Sequence, residues 1–312
     1  MATVDIVIPS YRGMHAEANG PLMAMLQKAN CLCRDQRGGM IHEPWKCPNG
    51  KHSVRLMPPT YLSSVIHWAR NQVLALALNG QPQDGRPPAD YFLLMDDDMV
   101  VETDYLQRLI SYKQDIVAGI CTVKRDPPRP NIRFWNAERH CFQEPIEWDW
   151  DSLKLMEIDG AGAAFMLVTR KVFERMAEAY LNCEFEIQRD LRKIDSANPG
   201  PIIAYWAKRS EKRKSVVNKA KEEGNWSATD CWWFEFLDDI VDNQVGQFGE
   251  DLSFCWKAKR LGFRIFADPQ ILPGHIGAYA YSIRDYRAYI EEAKKNGEEI
   301  PQRENKPSLV AA

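Results

Sequence analysis

The sequence predicts an α/β protein with a mostly parallel central sheet flanked by helices, and three observations carry that reading. Short apolar or β-branched runs at Val4–Ile8, Tyr91–Met95, Asp115–Val123, Leu153–Ile158 and Phe263–Ala267 alternate with segments of helical periodicity at 60–78, 170–181 and 282–296. That rhythm of strand and helix is the mark of a sheet whose crossovers lie on its faces. The run Tyr91-Phe92-Leu93-Leu94-Met95 is continuously apolar, as a strand buried on both faces must be. Finally, 312 residues are ample for a core of this kind, as one large domain or two small ones.

In chain order, Val4–Pro9 forms a first strand that Pro9 ends, and Ser10–Gly13 turns out of it. Ligands gather outside the carboxyl ends of parallel strands, so this turn belongs near the end of the Tyr91–Met95 strand. Tyr11 there suits either stacking on a nucleobase or ordinary surface packing. A helix over 17–29 follows, then an irregular excursion over 31–59 with one hairpin. The helix over 60–78 is strongly patterned through Val65, Ile66, Ala69, Val73, Leu76 and Ala77, and Arg70 and Asn71 interrupt its apolar character. After a loop at 82–88 come the central strand, a helix over 103–112 and a strand over 115–123. Pro127, Pro128 and Pro130 predict an extended surface segment over 124–133.

The second half opens with a strand at 153–158 and an amphipathic helix at 170–181. Residues 183–245 break the rhythm and read as an insertion. There Tyr205–Lys214, Lys219 and Lys221 form a basic stretch, followed by Trp226, Trp232 and Trp233 and the acidic Glu235–Asp242. Such a stretch either tracks a phosphate backbone or is a solvated helix face. A helix over 249–261 has acids in its first turn and bases before Gly262, which matches the macrodipole. A strand at 263–267, a helix at 282–296 and a frayed tail complete the chain. Residues 1–280 are expected to form one domain, with 281–312 as a terminal helix and tail.

Composition narrows the setting. A net charge of −3 selects no partner class. No apolar run approaches a membrane span, and the amino terminus lacks a secretory layout. The eight cysteines are scattered and read as reduced thiols, which implies a cytoplasmic protein. Cys31, Cys33, Cys47 and His52 lack the usual zinc-ligand spacing and are not assigned a metal.

The chemistry concentrates where the central strand runs into Asp96-Asp97-Asp98. Ionised carboxylates cannot remain in a core without partners, so they must open onto a cleft and meet a cation. On an extended chain Asp96 and Asp98 project to one side, and two hard oxygen ligands suit Mg²⁺ or Mn²⁺. An acidic turn capping the next helix is the plainer alternative. Gly160-Ala-Gly162 is no dinucleotide fingerprint, since Phe165 stands where a third glycine belongs, and no phosphate-binding loop motif occurs. Glu250 and Asp251 read as capping acids, and His275 alone reads as structural.

Four marks in fixed order give these residues a shared meaning: Asp96-Asp97-Asp98, Gly160-Ala-Gly162, Gly249-Glu250-Asp251 and His275. In that order, with a first strand ending in Pro9-Ser10-Tyr11, the chain resembles the metal-dependent glycosyltransferases of the GT-A fold, a Rossmann-like α/β architecture, closest to the family-2-like group. Arg12 departs from the frequent Asn of that start. The likeness spans about residues 3–125 and 153–280.

The resemblance implies that Asp98 and His275 hold a divalent cation, Mn²⁺ or Mg²⁺, with Asp96 contributing to it or to the donor ribose. It implies that Asp97, Gly160 and Gly162 border a nucleotide-sugar donor, most commonly a uridine diphosphate sugar whose base sits on Pro9–Tyr11, and that Arg70 either reaches that donor or anchors its helix. Asn71 would either reach the donor or anchor its helix. Asp251 would be the general base for a hydroxyl acceptor, with Glu250 orienting that acceptor and inversion the simpler outcome. The acceptor is a sugar or small hydroxylated molecule, or else a hydroxymethylated base in DNA, for which the basic stretch argues. A nucleotidyltransferase making nucleotide sugars is the rival enzyme class, but Val7–Gly13 offers no glycine-rich loop with a following Arg/Lys pair. A non-catalytic binder of nucleotide sugar or DNA is the third reading.

Overall fold

Seven strands form the sheet on which the molecule is built. In the computed structural model they run in the spatial order Met156–Ile158, Ile265–Asp268, Ile116–Gly119, Phe165–Thr169, Tyr91–Met95, Thr3–Val7, Ser53–Leu56. The structure describes residues 2–9, 16–29, 53–57, 66–79, 87–124, 127–138, 141–145, 149–192, 199–225, 231–241, 244–277, 280–297 and 304–305. Ser10–Gly13, Cys31, Cys33, Cys47, His52 and Trp226 lie outside them, and with them the reading of Tyr11.

The α/β class holds, with a mixed sheet. Five strands point one way, while Phe165–Thr169 and the edge strand Met156–Ile158 are antiparallel to their neighbours. The Phe165–Thr169 run carries no signal of direction in its residues. Running backwards has a consequence for the site, because Phe165 pairs with Met95. The chain just before Phe165, including Gly160–Ala164, therefore lies at the edge where the parallel strands end.

Alternation along the central strand divides the core in two. Phe92 and Leu94 face one apolar cluster with Val73, Leu74, Ala77, Phe173, Met176, Phe254 and Ala258, from the helices Ile66–Asn79, Arg170–Leu181 and Glu250–Arg260. Leu93 and Met95 face the other, with Leu22, Met25, Leu106 and Leu109 from the helices Ala16–Ala29 and Tyr105–Ser111. Residues i and i+2 of a strand share a face, so two layers of helices cover both sides of the sheet. Each of the buried Val, Leu, Met and Phe side chains among these contributes about 1.5–3 kcal/mol of transfer free energy, and the alanines less.

Three segments differ from the sequence reading. The stretch read as an irregular excursion over 31–59 contributes Ser53–Leu56, an edge strand of the central sheet parallel to Thr3–Val7. The proline-rich stretch is not a surface excursion: Arg129–Pro130 pairs with Thr122–Val123, and Asn131, Ile132 and Arg133 are buried. Ile132–Asn136 continues into a hairpin with Cys141–Gln143. Proline is compatible with these two-residue ladders because they run at edges. The strand expected over 153–158 shortens to Met156–Ile158, and Leu153 is exposed. Within 183–245 stand the helices Glu184–Arg192 and Gly200–Glu222, and the hairpin Leu237–Val241/Gln244–Phe248 begins there. No helix among the described residues is long and apolar enough to cross a membrane.

Asn71 anchors its helix. Its Nδ2 donates to the Phe234 carbonyl at 2.8 Å and its Oδ1 accepts from the Phe234 N–H at 3.0 Å, all buried. This fixes the 231–236 segment under the helix that carries Arg70. Replacing both bonds by an apolar side chain orphans a buried donor and acceptor, each costing about 1–3 kcal/mol. Asn71→Leu should therefore lose roughly 2–4 kcal/mol in chemical denaturation; a loss below half a kcal/mol would refute the anchoring role.

Candidate metal centre and acidic cleft

All the chemistry-bearing segments meet at one sheet edge. Asp96 follows the central strand directly, and its N–H is tied to the Ala164 carbonyl at 3.0 Å. The strand stops at Met95, so Asp96 and Asp98 converge through a turn and not through strand alternation. Met99–Val100 then pairs antiparallel with Gly274–Ile276, setting His275 opposite Met99. The Ile276 N–H donates to the Asp98 carbonyl at 3.0 Å, which locks the two segments. In this way a histidine far along the chain comes to stand beside the acidic turn.

One ligand atom from each of Asp96, Asp98 and His275 lies within 4.8 Å of the others. His275 Nδ1 sits 2.7 Å from the Thr122 carbonyl, which can only accept, so Nδ1 carries the hydrogen. In the neutral ring Nε2 then presents a lone pair, and it faces Asp98 Oδ1 at 3.2 Å. That oxygen is buried and makes no aligned hydrogen bond. A lone pair facing a carboxylate oxygen is the arrangement a cation resolves, and a carbonyl on the distal nitrogen is the usual partner of a metal-ligating histidine. Two carboxylates and an imidazole fit Mn²⁺ or Mg²⁺ by softness.

Lys124, overlooked in the sequence because it opens a proline-rich stretch, pairs with Asp98 Oδ2. Burial pushes the Asp98 carboxyl up, yet hydrogen bonding and charge, from His275 when its ring carries a second proton and from Lys124, outweigh it and hold the group below its ordinary value. Cys121, buried beside these acids, is pushed well up by desolvation and their charge, and so stays a protonated structural thiol.

A second cation organises the other half of the cleft. Arg70, only 2% exposed, reaches Asp96 Oδ1 at 2.7 Å and Asp251 Oδ1 at 2.5 Å, with Glu250 at 3.8 Å. Its guanidinium lies over the Phe234 ring, 5.5 Å from the centroid. Asp251 stands in the first turn of Glu250–Arg260, 26% of its side chain open to the cleft. Desolvation raises its carboxyl to about 6; Arg70 opposes this, Glu250 and Asp96 add to it, and a hydrogen bond from the Ala163 backbone opposes it. Gly162 borders the same carboxylate: a Cβ there would lie 3.6 Å from Asp251 Oδ2 and 3.4 Å from Asn131 Nδ2.

No family model matches this chain, and no curated protein does. Among solved structures it is similar to the crystal structure of A197 from STIV, at 14% identity and TM-score 0.35, over 89% of this chain and 86% of that one. It is also similar to GalNAc-T7 solved with UDP, GalNAc and Mn²⁺, at 10% identity and TM-score 0.40, over 96% of this chain and 52% of that one. At those scores the likenesses assign no activity.

The residues singled out from sequence fall into two groups. Asp96, Asp98, His275, Gly162, Glu250, Asp251 and Arg70 are linked by contacts at one sheet edge, and half-buried Asp97 lies in its turn. Gly160 has a different role, because a Cβ there would meet Leu252 Cδ2 at 2.9 Å and Phe142 at 3.3 Å. Its smallness admits the helix bearing Asp251. Pro9 is buried at the end of Thr3–Val7. Arg70 spends its charge on protein carboxylates, which no sequence spacing could reveal.

If the Asp96–Asp98–His275 cluster takes a divalent cation, Mn²⁺ should raise the thermal midpoint by linkage. Asp98→Ala and His275→Ala should abolish that rise. An equal rise in both variants would place the cation elsewhere.

Proposed function

We propose that this protein transfers a sugar from a nucleoside diphosphate sugar, a uridine nucleotide being the leading candidate, to a hydroxyl acceptor, using a divalent cation and Asp251 as general base. The observation that carries the reading is the pairing, at one sheet edge, of an Asp–Asp–His cluster with a carboxyl raised to about 6, joined through a single buried arginine. The order of motifs like that of GT-A glycosyltransferases supports the same conclusion.

Asp98 and His275, with Asp96, would hold the cation, which supplies electrostatic relief for the charge developing on the diphosphate leaving group. The acceptor oxygen attacks the anomeric carbon as the bond to the diphosphate oxygen breaks, and Asp251 takes the hydroxyl proton. Arg70 aims the Asp251 carboxylate and keeps it beside Asp96. Glu250 offers an oxygen for orienting the acceptor, while Gly162 leaves backbone room next to the base. With Asp251 as the one base and the neighbouring Glu250 and Asp96 engaged with Arg70, direct displacement with inversion is the simpler course. Lys124 lies where it can turn from Asp98 toward a diphosphate oxygen.

Asp251→Asn should retain binding of nucleotide and Mn²⁺ by calorimetry while transfer falls about 10²–10⁴-fold. Transfer at the wild-type rate would remove Asp251 from the mechanism. The base acts only when ionised, so kcat should climb with pH through about 6 and level off above it. Charge from a bound cation near Asp96 moves that midpoint down, never up. A profile that fell with rising pH over this range would contradict the assignment. A panel of nucleotide sugars scored by thermal shift with and without Mn²⁺ identifies the donor.

A further inference from the structure

The helix Gly200–Glu222 carries seven basic residues against two acidic ones in a chain whose net charge is −3. One stripe, Trp206, Ser210, Val217 and Ala220, is buried against the body. Arg213 is committed to Glu186 at 2.5 Å and to the Tyr180 carbonyl at 2.7 Å. Lys208, Arg209, Lys212 and Lys214 remain exposed.

Beside this helix runs a cleft of about 510 Å³ bordered by Tyr180, Trp206, Arg209, Lys212, Val216 and Trp232. The Arg209 guanidinium lies over the Tyr205 and Trp206 rings, at 5.5 and 5.9 Å from their centroids. At the other end Trp232, 37% exposed, meets Trp68, 50% exposed, edge to face at 6.1 Å. Large aromatic surfaces left open beside cations are costly to keep in water and are the surfaces on which nucleobases stack. The segment that bears Trp232 also adjoins the acidic site through its buried side. Phe234 supports Arg70, and two residues of chain from Trp232 to Phe234 span at most about 7 Å.

Resting on the glycosyl-transfer reading above, we propose that this cleft takes a single strand of nucleic acid, held by the segment that also supports Arg70, so that the acceptor hydroxyl is carried on an unstacked base. Phosphates lie along Arg209 and Lys212 while bases stack on Trp232 and Trp68. Neutral glycans would use the aromatic rings but have no call for the cations, and an anionic protein segment would use the cations but not an open ring pair. A base presented for chemistry must leave its duplex, which the flat open rings favour.

The test is fluorescence anisotropy of the full-length protein with a fluorescein-labelled oligothymidine, and with the same strand in duplex, across a salt series. The single strand should bind more tightly than the duplex, with log affinity falling linearly in log salt, by about 0.7 for each phosphate neutralised. Trp232→Ala and Trp68→Ala should weaken binding about 5- to 100-fold each while leaving the salt slope nearly intact. Arg209→Gln with Lys212→Gln, both exposed and so compatible with an unchanged thermal midpoint, should flatten the slope by about 1.4. Absence of binding at low salt overturns the proposal. So does equal binding of strand, duplex and heparin that ignores the tryptophan substitutions, because that is charge alone. The thermal shift with UDP and Mn²⁺ separates the two readings. A shift without oligonucleotide binding sinks only the cleft, whereas binding without a shift sinks the donor and keeps the cleft.

Discussion

The arrangement depends on a buried guanidinium held among three carboxylates. Arg70 lies in the Ile66–Asn79 helix, Asp96 at a strand end and Asp251 at another helix start, and nothing in the backbone joins those three points directly. The charge is almost wholly out of water, a state several kcal/mol uphill unless opposite charges and hydrogen bonds surround it. Each acid in turn would stand uncompensated without the arginine. The geometry is therefore over-determined: moving Arg70 takes the shared cation from all three acids, while moving either Asp96 or Asp251 still leaves Arg70 the other acids.

That network also sets the proton affinity of Asp251. Desolvation and the neighbouring acids push it upward and Arg70 pulls it back, leaving a carboxyl near 6. A group so balanced is ionised near neutrality yet basic enough to take a proton in a transition state. The other half of the site has the opposite balance, since His275, when its ring carries a second proton, and Lys124 keep Asp98 below its ordinary value. Two acids on one sheet edge are driven apart in acidity by their neighbours, which suits one to holding a cation and the other to accepting a proton.

Much of this was legible in the residues, for identifiable reasons. Tyr91–Met95 had to be a central strand because five consecutive apolar side chains need cover on both faces, and both faces are covered. Helices with clear periodicity, such as 170–181 and 282–296, stand where expected, the latter with a Ser282–Asp285 capping box and Gly297 at φ 68°. Direction was not legible: an apolar strand such as Phe165–Thr169 reads the same whichever way it runs. Nor were two-residue ladders such as Arg129–Pro130, where pairing overrides the surface character of proline. The motif order singled out the acids and His275, while Arg70 reads as reaching the donor or anchoring its helix and Lys124 only as part of an extended surface segment. Their partners are distant in sequence, and only packing reveals them.

The strand Gly274–Ile276 reaches back to Met99–Val100 across more than half the chain. Such a contact pays its loop-closure entropy before it gains anything, so it belongs to the late, slow part of assembly. During synthesis the acidic turn would leave the ribosome long before its imidazole partner. A nascent or truncated chain lacking the final fifth of the sheet edge would carry the aspartates but no way to finish the cluster. The cluster can therefore close only once the chain has been made through residue 276 and this late pairing has formed.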